Sequence, residues 1–162
     1  MVASMDEMLS VIESKLQRAK AFFGPADGIG FEVNADSLQA VESDVERRRG
    51  EPGWDPDSDE ADELVWLVGA FLGACIIDVT QGDWHVDDRG VPGVRLPNGV
   101  VAFPFGKARK ALHSGVDGGE SLVGFYRVVV EGFAAAENVA VPKSRLRRPG
   151  LLTKWTPPRG RN

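Results

Sequence analysis

The feature that most constrains this chain is the run from Leu64 to Ile77, LVWLVGAFLGACII, which holds no charged side chain. Apolar residues fall on every side of a helix drawn through it, so that helix must be covered on several faces. The pattern predicts a central helix over about 59–80. Asp59, Glu60, Asp62 and Glu63 gather at its start, where the helix dipole favours carboxylates. The run is shorter than the ~20 residues needed to span a bilayer. Gly69 and Gly73 lie one turn apart on one face. Glycine costs about 1 kcal/mol in a helix interior, so another backbone is expected to approach closely there; the alternative is a ligand resting against the glycines.

Upstream, Met5, Met8, Leu9, Ile12, Leu16, Ala19 and Phe23 recur at three- and four-residue steps. They predict a helix over 5–23, opened by a Ser4/Glu7 capping box and stopped at Gly24-Pro25. Ile29, Phe31 and Val33 alternate as a short strand does. A second helix is expected from Asp36 as N-cap to Gly50, with Leu38, Val41 and Val45 as a narrow apolar stripe. Its acids precede Arg47, Arg48 and Arg49, an order that suits the dipole and reads as a solvated helix end.

Downstream, Trp84 and Val86 alternate with Asp83, His85 and Asp87, the pattern of a strand with one wet face. Asn98-Gly99, between Val94–Leu96 and Val100–Phe103, predicts a hairpin with a type I′ turn. Pro104-Phe105 opens a short fourth helix to about His113. A fifth runs from about 121 to 138, with Leu122, Tyr126, Val129, Val130 and Phe133 toward the core. The reading is one α+β domain over 1–141, with about five helices around a small three-stranded antiparallel β-meander. A Pro-rich, basic, extended C-terminal tail over 142–162 follows it, with Leu151, Leu152 and Trp155 as apolar points.

Several of these signals coincide in one pattern: Leu72-Gly73, Gly82-Asp83-Trp84, Leu96-Pro97, Phe103-Pro104-Phe105, the basic stretch Lys107 to Lys110, and Gly119-Glu120. Together, over about residues 62–132, they resemble a bacterial domain family of unknown function. The resemblance implies a fold and a bacterial source; it brings no activity and no catalytic residues. Ala74 and Cys75 stand where that pattern leads one to expect an acid.

Charge narrows the function classes. Residues 1–142 hold all 24 acids and 12 basic residues, a balance of −12, whereas 143–162 hold seven basic residues and no acid. An acidic body repels phosphates, so nucleic acid is expected to bind only through the tail, if at all. One cysteine, Cys75, allows no internal disulfide and suits a reducing, cytoplasmic compartment; it reads as a small buried hydrophobe.

Chemistry is sparse. No serine elbow, phosphate loop or dinucleotide fingerprint is present. Asp55, Asp57 and Asp59 resemble the start of a calcium loop, but Glu60 and Trp66 stand where the turn glycine and the bidentate glutamate belong. No metal or cofactor is therefore expected, and no catalytic set. His113 suits the C-terminal end of its helix. The leading expectation is a non-enzymatic protein acting through an unknown protein partner, with no membrane contact. Its contacts are Asp55, Asp57 and Asp59 in the acidic 50–63 loop, the basic Lys107, Arg109 and Lys110, and Trp155 in the tail. One form is an immunity-like protein masking a basic toxin. The alternative is a small-molecule-binding or hydrolytic domain with a polar cleft built from His85, Asp87 and Arg95.

Overall fold

The computed structural model describes residues 3–25 and 31–137. Helix α1 (Met5–Phe23) opens with the expected reciprocal cap: the Ser4 hydroxyl accepts from the Glu7 amide, and the Glu7 carboxylate accepts from the Ser4 amide. Helix α2 (Ala35–Arg49) begins earlier than predicted. Asn34, in extended conformation, is the N-cap and accepts from Ser37 N at 2.8 Å. Asp36 falls in the first turn, where an acid suits the dipole without capping. Residues 31–33 form no strand. Phe31 instead packs on Phe71 of the central helix, with ring centroids 5.3 Å apart; Ile29 lies outside the described residues.

The central helix α3 (Asp59–Thr80) is capped by Ser58 and ends at Gln81, whose φ of 60° places it in the left-handed region. By length and composition alone α3 is long enough to cross a membrane, yet 67% of its most apolar stretch is buried within this fold. It packs against α1, α2, the later helices α4 (Pro104–Ser114) and α5 (Leu122–Glu137), and the sheet.

The sheet is the predicted antiparallel meander, β1 (Asp83–Val86), β2 (Pro92–Arg95) and β3 (Val101–Ala102), in that order. Its second hairpin differs from the expected type I′. Gly99 has φ 88°, but Asn98 does not have positive φ. Gly99 N donates to Leu96 O, and Leu96 N donates to Val100 O. This is a three-residue loop, a type I turn closed by a left-handed glycine. Pro97 explains the change, because its ring holds φ near the value that position i+1 of a type I turn needs. The first hairpin repeats the design, with Gly90 at φ 80° and the pair Gly90 N to Asp87 O and Asp87 N to Val91 O.

The glycine face of α3 receives rings, not a backbone. A Cβ on Gly69 overlaps the Phe105 ring, and one on Gly73 overlaps the Trp84 indole. Phe105 stands at 5.1 Å from Trp66 and 5.8 Å from Trp84, centroid to centroid. Two notches thus seat the first turn of α4 and the first strand on the same helix. Gly73→Ala gains helix propensity but forces the indole out, and overpacking of this kind costs about 1–3 kcal/mol. Urea denaturation is expected to show Gly73→Ala less stable than the parent chain.

The polar side of α2 organises the other half. Glu42, Glu46 and Arg49 share one face at steps of four and three. The buried Glu42 carboxylate accepts from Ser121 Oγ at 2.6 Å, Leu122 N at 2.7 Å and Val123 N at 3.3 Å, so it caps the start of α5. Ser121 Oγ also accepts from Gly124 N at 2.9 Å. Glu46 accepts from Val116 N at 3.0 Å. Arg49 donates to the Leu112 and His113 carbonyls that end α4. Gly115 (φ 65°) leaves room for that guanidinium, which a Cβ would overlap.

The arginine cluster is thus internal structure as much as solvated surface. Arg47 and Arg48 both pair with Asp44, at 2.6 and 2.7 Å. Burial pushes the Asp44 carboxyl up, but hydrogen bonds and charge from Arg48 and Arg47 outweigh it and hold the carboxyl below its ordinary value. A carboxyl lowered in the fold adds stability that is present above its unfolded value and lost as pH falls through the folded one. Glu42→Ala leaves three donors at the α5 terminus without their acceptor. Hydrogen bonds to a charged group contribute about 1.5–3 kcal/mol each, and the loss is expected to exceed that of any exposed Glu→Ala. Amide exchange checks it, with the first turn of α5 losing protection first.

Candidate functional site

Helix α5 is apolar on more of its circumference than the fold covers. Leu122, Val123, Tyr126, Val130 and Phe133 are buried in the core. Phe125, Val128, Val129, Gly132 and Ala136 form a second stripe at steps of three and four, continuing through Phe133. Val129 packs against the core, as expected, and also lines the second stripe. Across from this stripe stands the β2–β3 hairpin, which contributes Leu96, Val100, Val101 and Phe103. The start of α4 closes the floor with Gly106 and Lys107.

Between them lies an open groove of about 620 Å³. Val100 is 56% exposed, Phe103 42% and Val128 40%, large apolar side chains held out to one space. Gly106 and Gly132 line the same space, and a Cβ on either meets nothing within 4 Å among the described residues. These helical glycines differ in kind from Gly69 and Gly73, whose notches are filled by rings of this chain.

One end of the groove is polar. Lys107 forms an ion pair with Glu120 and lies 5.9 Å from the Phe125 ring centroid. Lys110, one turn along α4, is exposed and has no ion-pair partner among the described residues. Three basic residues of α4 thus have separate fates, since Arg109 turns to Asp62 at 2.7 Å.

The sequence-predicted cleft residues are partly brought together. Arg95 Nη2 lies 2.9 Å from His85 Nδ1 and 3.1 Å from Nε2, so whichever ring nitrogen is unprotonated accepts from it. Neither lines the groove, although Arg95 stands opposite Val101 across β2 and β3. Asp87 is engaged in its own turn. Its carboxylate accepts from Arg89 N at 2.9 Å and Val91 N at 2.8 Å, and the bond from Val91 leads the effects that hold it below the usual carboxylate range.

The acidic loop stays exposed, but several of its carboxylates have partners within the chain. Asp55 accepts from Asp57 N, Asp57 lies 3.0 Å from His113 Nε2, and Asp59 sits in the first turn of α3. Glu63 pairs with Lys15 and Arg18 of α1. Trp155 lies outside the described residues. Cys75 is buried with its Sγ 3.6 Å from Asn34 O, and burial, with a smaller push from Asp78, raises its thiol well above the ordinary range. Among the described residues no group of three or more His, Cys, Asp or Glu is placed to hold a metal ion.

Comparison with protein-family models, with curated proteins and with solved structures finds no match to this chain. The groove was missed from sequence because an apolar stripe reads as core wherever it falls. The available signal was Gly132, a costly residue inside a good helix, four residues from both Val128 and Ala136. Since a Cβ at Gly132 meets nothing within 4 Å among the described residues, Gly132→Ala is expected to stabilise the chain by about 0.5–1 kcal/mol, the helix-propensity difference. Thermal unfolding of the single variant measures it.

Proposed function

We propose that this chain is a non-enzymatic, cytoplasmic bacterial accessory protein that acts by protein–protein contact, and that the groove between the β2–β3 hairpin and α5 makes that contact. The observation that carries this reading is the second apolar stripe of α5, with Val100, Phe103 and Val128 exposed toward one space. A helix that keeps a costly glycine and exposed valines on one face is suited to receive apolar side chains from elsewhere. Lys110 at the polar end favours an occupant with a carboxylate there. The resemblance over residues 62–132 supports the bacterial assignment and is silent on activity.

The acidic loop is the weaker contact candidate, because Asp57 and Asp62 already face His113 and Arg109. The immunity-like form of the proposal, in which a basic toxin is masked, uses carboxylates that stay exposed beside their present partners. A polar cleft at His85 and Arg95 lacks its third member, since Asp87 closes a turn.

Affinity purification from a bacterial host, run in parallel on three chains, tests the reading. A partner retained by the parent chain is expected to be lost with Val100→Asp/Val128→Asp and retained with Asp55→Asn/Asp57→Asn/Asp59→Asn. The opposite pattern assigns the contact to the loop and overturns the groove.

A further inference from the structure

We infer that the groove between the β2–β3 hairpin and α5 binds a free single-chain carboxylate, its hydrocarbon chain lying along α5 and its head group at Lys110. At about 620 Å³ the groove falls within the range of small-molecule sites, which are mostly apolar with a few placed polar groups. Its α5 wall runs from Phe125 to Ala136, roughly 16 Å at helical rise. Tetrahedral carbons advance roughly 1.25 Å each when extended, so a chain of about twelve carbons matches that wall from end to end.

The groove is a furrow with apolar banks. Val100 and Phe103 stand out from the hairpin on one side, and Val128 from α5 on the other. Gly106 and Gly132 put no side chain between these banks, and among the described residues a Cβ on either meets nothing within 4 Å. Methylenes laid there leave water on several sides at once, which is the favourable part of binding a hydrocarbon chain.

Charge selects the head group. Among the polar residues of the lining, Asn98 already accepts from Val100 N through Oδ1 at 3.1 Å, and Glu120 neutralises Lys107. Lys110 is exposed and has no ion-pair partner among the described residues, which leaves one net positive charge at that end. A carboxylate meets that charge one to one. A phosphate monoester carries about −1.5 to −2 at pH 7 and is left partly uncompensated, while an ammonium faces a like charge.

This ligand goes beyond the partner contact proposed above and does not need it. Where both hold, they compete for the same walls, and a partner's apparent affinity falls as the carboxylate fills the groove.

Calorimetric titration of the full-length chain with dodecanoate at submillimolar concentration tests the inference. Saturable binding is expected, tightening about two- to fourfold per CH2 from hexanoate through octanoate and decanoate to dodecanoate. Lys110→Glu is expected to weaken dodecanoate about three- to tenfold and to leave its uncharged methyl ester unchanged. Val128→Asp, at a position already 40% exposed, is expected to weaken both. No saturable binding overturns the inference, and so does a methyl ester that binds the parent chain as tightly as the carboxylate. A dimer that dodecanoate leaves intact assigns the groove to a second copy and overturns it too. As a second measurement, which needs no variant, dodecanoate is expected to shift the methyl resonances of Val100, Val128 and Val129. Shifts confined to other methyl groups overturn it. No partner enters these readouts, so failure of the partner-contact reading leaves them intact.

Discussion

Two missing side chains on α3 hold the molecule together. At Gly69 and Gly73 the helix lets rings come to its backbone, and the rings that come, Phe105 and Trp84, belong to elements that otherwise have little in common. One opens α4; the other lies on the first strand. Because Phe105 also touches Trp66 and Trp84, the strand, the short helix and the spine meet in one aromatic cluster. The hairpin beyond β1 inherits its position from that cluster, and the groove wall it forms inherits its position from the hairpin. The cost of two helical glycines is offset by the close ring packing they permit.

The wide apolar circumference of α3 and the capping signals of α1 are local properties, and the predicted bounds of both helices hold. So does the antiparallel meander. What failed locally failed by competition between neighbours. Asn34 outcompeted Asp36 as the cap because its backbone is extended, and Pro97 overrode the turn preference of Asn98-Gly99. The identity of what meets the α3 glycines was out of reach, because spacing shows that a close approach is needed and says nothing of what approaches.

The site was less legible than the fold. Glu42, Glu46 and Arg49 read in sequence as a charged helix surface, and only the fold shows them reaching partners 63 to 80 residues away. Acids of the 50–63 loop read as an interaction surface because their partners on α1 and α4 are distant in sequence. The apolar groove was hidden for the converse reason. Its stripe on α5 overlaps the core stripe at Phe133, so one helix carries two apolar faces under one hydrophobic pattern.

The Glu42 cap has a consequence for how the chain reaches its native state. A helix usually finds its N-terminal acceptor within its own first turn, but here part of that acceptor set lies 80 residues upstream of Leu122. Contacts of such separation close late, since loop-closure entropy must be met before they contribute. The Glu42 half of the α5 cap therefore completes only once α2 stands in place, whereas the Ser121 half is local. Until then the second apolar stripe of α5, the hairpin opposite and the core stripe are all exposed to one another and to other chains. A nascent molecule is most prone to wrong association in that interval, and the same glutamate that completes the native fold determines when the interval ends.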